Sequence, residues 1–258
     1  MVYHILNGEA LTDRFIETGI NGEIIITREC LVDGNLEGDS LQDFFHTRAK
    51  YLAEEPCENE QDYFAWVVNE FEKIMRAPAD SEFNLWFGYD LFCRANMWFI
   101  LSLLYDMEIK KDVYIVYPSY LAEADRWKDF GGATPADLQK CFSGRTRLDE
   151  NDIELGKNLW IAFKKNDFNT LQQLAAQAPL AFPYLQEVCN AHIERFPENG
   201  GKSRPEKIIE DIIVHTSPKF SIVFPEFFKR EGIYGFGDTQ VKKIYDKVMQ
   251  SYPGSIDN

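Results

Sequence analysis

The chain has 258 residues, 45% of them apolar and 27% charged, with a formal net charge of −15. That composition supplies enough apolar surface for a core and excludes wholesale disorder, while the length admits one large domain or two. The negative charge falls almost wholly in residues 1–149, which carry −13 against −2 for residues 150–258; a surface of that sign repels phosphate backbones and disfavours nucleic-acid binding by the first part.

No apolar run reaches the roughly 20 residues that cross a bilayer, since Met97–Leu104 is interrupted by Ser102, and no membrane partner is expected. The first residues enter a strand-like run with no basic stretch ahead of it, which reads as the absence of a secretory signal and predicts a cytoplasmic location. Cys30, Cys57, Cys93, Cys141 and Cys189 are scattered and odd in number. They predict neither a disulfide framework nor a structural zinc site.

In chain order, Val2–Leu6 reads as a short buried strand, Asn7-Gly8 as a turn, and Glu9–Phe15 as a helix on the spacing of Ala10, Leu11 and Phe15. Gly19 and Gly22 close that helix, and Ile24-Ile25-Ile26 within Glu23–Thr27 predicts a strand covered on both faces. Helical spacing follows over 40–51, with Leu41, Phe44, Phe45 and Ala49, and over 62–75, with Phe64, Val67, Val68, Phe71 and Met75. Pro56 separates the two. Phe83–Phe87 is a third strand, Leu91–Leu104 a strongly apolar helix, and Val113–Tyr117 a fourth strand stopped by Pro118. The alternation predicts a Rossmann-like α/β architecture, a doubly wound and mainly parallel sheet.

Beyond residue 120, Thr134-Pro135 opens a helix that runs through Phe142. The polar stretch 143–147 then marks a boundary between an acidic α/β domain, residues 1–145, and a smaller, mostly helical domain, residues 146–258. The second part holds a helix capped by Asp149, one over Asn169–Ala176, one that follows Pro183 and ends near Pro197, one opened by the capping box Ser203–Glu206, and a last one over Asp238–Met249. Phe220–Phe224 reads as a short, ambiguous strand.

In open parallel sheets, ligands bind beyond the carboxyl ends of the strands. The polar residues expected there are Asn7, Gly8 and Glu9 after the first strand, Arg28 and Glu29 after the second, Tyr89 and Asp90 after the third, and Tyr117 and Ser119 after the fourth. Arg28 would bind an anionic group and Asn7 would orient it, with Gly8 and Glu9 as further ligand-binding candidates although the charge of Glu9 works against a bare phosphate, and Asp90 or Glu29 would act as acid or base. Each also has a plainer role: Glu9 as a first-turn acid, Asp90 as a helix N-cap, Arg28 in an internal salt bridge with Glu29 or Asp90. His4 fits a satisfied core histidine, and His46, His192 and His215 are isolated.

No spacing among Glu9, Glu29 and Asp90 demands a metal, and no motif names a cofactor. Gly201-Lys202-Ser203 lacks the leading glycine and strand of a phosphate loop, and Gly235-Phe236-Gly237 lacks the third glycine of a dinucleotide fingerprint. Neither G-x-S-x-G nor H-E-x-x-H occurs.

His4-Ile5-Leu6-Asn7-Gly8, Arg28-Glu29-Cys30-Leu31 with Gly34 soon after, and Leu85-Trp86-Phe87 leading to Asp90-Leu91 together resemble the bacterial domain-of-unknown-function family numbered 1835. Leu148–Trp160, Arg195-Phe196-Pro197 with Ser203-Arg204 and Glu206, and Tyr234–Asp238 resemble the uncharacterised domain that commonly follows it. The resemblance departs at Glu9, where the family typically has Asp, and at Arg94, near which an amide is expected. It implies the two-part architecture and a polar centre of Asn7, Arg28 and Asp90, and no established activity.

Two functions follow as expectations. One is a protein that binds or transforms a nucleotide-like or other polar metabolite at the strand ends. The other is a non-enzymatic regulatory or interaction protein whose winged-helix-like C-terminal part, built on Ser203–His215 and Asp238–Met249, offers Lys242, Lys243 and Lys247 as a modest basic face.

Overall fold

The computed structural model describes residues 1–53, 59–119, 121, 126–177, 179–197 and 200–251. The four apolar runs form Val2–Asn7 (β1), Glu23–Thr27 (β2), Ser81–Trp86 (β3) and Lys111–Val116 (β4), all parallel in the order β2-β1-β3-β4. Asn7 is level with Thr27, Leu6 with Trp86, and Trp86 with Val116, so the strands finish at a common edge. The connections run outward in opposite directions from β1 and β3. That pair is the topological switch point, where an open α/β sheet leaves a crevice.

A fifth strand, Thr146–Leu148 (β5), joins β4 antiparallel. Three residues, two of them exposed, carry no hydrophobic period to read, so the polar stretch 143–147 reads as a domain boundary instead. The boundary placed at 145/146 falls at the start of a strand of the sheet itself.

Two helices cover one face, Thr12–Glu17 (α1), entered through a 3-10 turn at Glu9–Leu11, and Pro135–Ser143 (α6 in chain order). They bury Leu6, Phe15, Trp86, Val116, Leu138 and Cys141. His4 lies in this layer, its Nδ1 accepting from Trp86 Nε1 at 3.2 Å and its Nε2 facing the Asn21 carbonyl at 3.2 Å; burial lowers its pKa.

The other face is covered by Leu41–Ala53 (α2), by a helical run made of Glu60–Tyr63 (α3), a π-helical stretch at Phe64–Val68 and Asn69–Met75 (α4), and by Leu91–Asp106 (α5). Every residue of α5 from Leu91 to Leu104 except Phe92 is buried. The reason is Glu150–Lys164 (α7), which packs along the outside of α5; a helix covered on all sides needs no polar stripe. Gly156 sets the approach, because a Cβ there would run into the Leu101 side chain. Phe99 and Leu101 thus share one core with Trp160 and Phe163 from beyond residue 145.

The remaining helices are Phe168–Ala175 (α8), Leu185–Ile193 (α9), Arg204–His215 (α10), Phe220–Glu231 (α11) and Asp238–Ser251 (α12). The capping box of α10 forms as its sequence predicts, with Ser203 and Glu206 bonding each other's backbone N–H. Ser203→Ala is expected to cost about 1 kcal/mol, seen as a lower urea midpoint at constant slope.

Phe220–Phe224 is the first part of α11 rather than a strand. Its local β-propensity is overridden because Val223 and Phe227, four residues apart, are both buried where α11 packs on α10 and α12. Among the described residues after Leu148 no strand occurs, so the winged-helix reading loses its wing. Its basic face is also neutralised: Lys242 pairs with Asp246, Lys243 with Asp33 and Lys247 with Glu206. Among the described residues no helix is long and apolar enough to cross a membrane.

Candidate functional site

A cleft of about 510 Å³ opens at the switch point, over the ends of β1 and β3. Asn7 and Asp90 lie in it, as expected, together with Cys93 on the first turn of α5. Asp90 is the N-cap of α5, its Oδ1 accepting from the Cys93 backbone N–H at 2.9 Å. The expected cap therefore forms, and the same carboxylate borders the cleft.

Asp90 is only 3% exposed. Burial, aided by the negative charge of Asp129, pushes its pKa up from the usual 3.8 to about 6 against the opposing pull of the Cys93 N–H. Two glycines make room for it. A Cβ on Gly88 would come within 2.9 Å of Oδ2, and one on Gly235 would overlap Oδ1. Gly235 also has φ +62, a left-handed conformation that glycine adopts without strain.

Asn7 is held from both sides. Its Nδ2 donates to Cys93 Sγ at 3.2 Å, and its Oδ1 accepts from Asn96 Nδ2 at 2.8 Å. Asn96 in turn donates to the Glu29 carbonyl at 2.8 Å and accepts from the Leu31 N–H at 3.2 Å. Its role was not read from the sequence, yet an amide inside the otherwise apolar run Leu91–Leu104 was a visible signal, because a fully buried amide must find partners. Burial raises the Cys93 thiol well above its ordinary pKa; it serves as a protonated hydrogen-bonding group, since nucleophilic cysteines need the opposite shift.

The outer wall comes from the loop before α6 and from the C-terminal helices. Trp127, Lys128 and Asp129 line one side, and Phe92 and Phe228 give apolar surface. Asp129 Oδ1 accepts from the Gly131 N–H at 2.7 Å and so caps the 3-10 turn Phe130–Gly132. The Trp127 ring meets Tyr184 edge-on at 5.8 Å. Among the described residues no group of three His, Cys, Asp or Glu is placed to hold a metal.

The other expected site residues are engaged elsewhere. Arg28 borders none of the described cavities; its Nε donates to Glu9 Oε1 at 2.7 Å and its guanidinium to the Trp66 carbonyl at 2.7 Å. The internal salt bridge expected for Arg28 with Glu29 or Asp90 does not form; Arg28 instead makes a surface ion pair with Glu9. Glu29 is buried and saturated by the Arg48 guanidinium at 2.8 Å, the Tyr63 hydroxyl and the Cys30 N–H. Gly8, at φ +88, makes the turn out of β1 with open space beside it. Tyr89 and Tyr117 stack at 4.7 Å and enclose Arg94, which donates to the Tyr117 hydroxyl and to the Pro183 carbonyl at 2.7 Å.

The raised pKa of Asp90 fixes a pH dependence. Between about pH 4 and 6 the folded chain keeps a proton that the unfolded chain has lost, so this contribution to stability is full below the unfolded pKa and is lost as pH rises through 6. Asn in place of Asp90 keeps the cap and removes the titration. Wild type is therefore expected to gain stability over Asp90→Asn on acidification from pH 7 to pH 4, in urea titrations at each pH; a difference constant with pH would contradict the assignment.

The sheet order and the crevice define a doubly wound α/β protein with a polar cleft at its switch point. No family model, curated protein or solved structure matches the chain.

Proposed function

We propose that the switch-point cleft binds a small polar metabolite with a flat, nucleotide-like ring, and that Asp90 exchanges a proton with it. The observation that carries this reading is a carboxyl group with a pKa of about 6 beside an open cleft. A group titrating near neutrality is suited to general acid–base work, and strongly perturbed carboxyls concentrate at functional sites.

In this reading Asn7, fixed by Asn96, orients the ligand's polar edge. Trp127 and Phe92 cover its ring, and Lys128 takes the role first assigned to Arg28 of meeting an anionic group. Glu29 has no part in proton transfer, because its oxygens are already occupied. Membership of family 1835 belongs to the same proposal, with Asn7 and Asp90 as the part of its expected polar centre that borders the cleft. So does a cytoplasmic location, which suits the free thiols of Cys30, Cys93 and Cys189; Cys57 lies outside the described residues.

A thermal-shift screen of nucleosides, nucleotides and divalent cations tests the reading, since a ligand that binds only the folded state raises Tm by mass action. At least one nucleoside or nucleotide is expected to stabilise wild type, and Asp90→Asn and Asn7→Ala are expected to reduce that shift. A screen with no stabilising compound, or an equal shift in both variants, would remove the proposal.

A further inference from the structure

Arg195, Phe196, Ser203 and Phe236 take no part in the switch-point cleft, yet they meet in a second one of about 300 Å³ between the end of α9, the start of α10 and one face of α12. Among its described lining residues three cations stand beside two carboxylates. Lys243 is bonded to Asp33 at 3.1 Å and Lys247 to Glu206 at 2.6 Å, and all four residues line this cleft. Arg195 is left as the surplus cation. Among the described residues no carboxylate lies within ion-pair distance of it. Its guanidinium donates to the Val32 carbonyl at 2.6 Å and faces His192 Nδ1 at 3.5 Å.

His192 is fit for that contact because it is neutral. Burial holds its pKa down at about 3, and with Nε2 turned to Asn166 Oδ1 at 3.2 Å the lone pair on Nδ1 is left to face Arg195. The Arg195 guanidinium also lies over the Phe196 and Phe236 rings, 5.6 and 5.2 Å from their centroids. A guanidinium carries five N–H donors in a planar fork that matches a carboxylate or phosphate, and the contacts with Val32 and His192 leave several unused. Burial lowers the pKa of Arg195 despite the attraction of the Asp33 carboxylate. A ligand that brings the missing negative charge would relieve that cost.

We propose that this second cleft binds an amphiphilic anion, a carboxylate or phosphate carried on an apolar body. Arg195 holds the anionic head, and the Phe236, Pro197, Pro205 and Ile244 surfaces cover the apolar part. The apolar part is required because a chain of net charge −15 repels a bare anion at long range. The inference is independent of the proposed function, which concerns the other cleft.

The test is calorimetric titration of the whole chain with benzoate, phenyl phosphate, inorganic phosphate and benzylamine. Benzoate or phenyl phosphate is expected to bind, with inorganic phosphate and benzylamine at least tenfold weaker. Arg195→Gln, checked for folding by its thermal melt, is expected to weaken binding at least tenfold. Lys247→Glu, at an exposed position, is expected to weaken it several-fold and serves alone if Arg195→Gln does not fold, while Asp90→Asn is expected to bind unchanged. Benzylamine binding as tightly as benzoate, inorganic phosphate as tightly as phenyl phosphate, unchanged affinity in a folded Arg195→Gln or in Lys247→Glu, or lost affinity in Asp90→Asn would each overturn the proposal.

Discussion

Arg48→Met is expected to destabilise the fold by about 3–5 kcal/mol, the usual cost of removing one partner from a buried ion pair. Arg48 and Glu29 both have fully buried side chains. Arg48 also donates to the Asp33 carbonyl at 2.7 Å and the Cys30 carbonyl at 3.2 Å, so it organises the loop that leaves β2 as well as neutralising the acid. Its loss leaves Glu29 charged inside the core with only the Tyr63 hydroxyl and one N–H to stabilise it. The double variant Arg48→Met with Glu29→Gln removes that stranded charge and is expected to recover much of the stability, as paired replacements of buried ions commonly do. Equilibrium urea unfolding of the two variants checks this; a double variant no more stable than Arg48→Met would mean that loop contacts, rather than the stranded charge, dominate.

Gly235→Ala is expected to be the most damaging single change to the switch-point cleft. A side chain at φ +62 costs about 1–3 kcal/mol in backbone strain, and its Cβ would overlap the Asp90 carboxylate, adding about 1–3 kcal/mol of overpacking. The carboxylate cannot retreat, because it is buried and bound to the Cys93 N–H. We expect a Tm lower by several degrees or more, together with loss of any ligand-induced stabilisation. The control is Gly200→Ala, which has a comparable φ of +70 but open space around the added Cβ and so carries the strain without the clash.

The sheet was legible because its strands are apolar runs bounded by turn residues. The triple isoleucine of β2 and the Leu85-Trp86 segment of β3 announce strands covered on both faces, and the caps at Asp90, Thr134, Asp149 and Ser203 all form where the sequence puts them. β5 was illegible because its place in the sheet depends on pairing with β4, a partner distant in sequence. α11 was misread because a short Phe/Ile/Val run before Pro225 is strand-like until α10 and α12 supply a surface for its helical face.

Of the candidate site, the Asn7–Asp90 meeting was visible, since both follow strands that straddle the switch point. The fates of Arg28 and Glu29 were not. They are adjacent in sequence, but the chain turns one outward to Glu9 and the other inward to Arg48. Gly235 and Phe228 were out of reach for another reason: they arrive at the cleft from the C-terminal half, more than 130 residues beyond Asp90.

The packing of α7 on α5 limits how far this protein can be shortened. A gene fragment ending near residue 149 would encode all five strands, yet Trp98, whose ring stands 5.8 Å from that of Phe163, and Leu101, pressed against Gly156, would face water along the whole length of α5. Such a product is expected to clump or be degraded rather than persist as a smaller working protein.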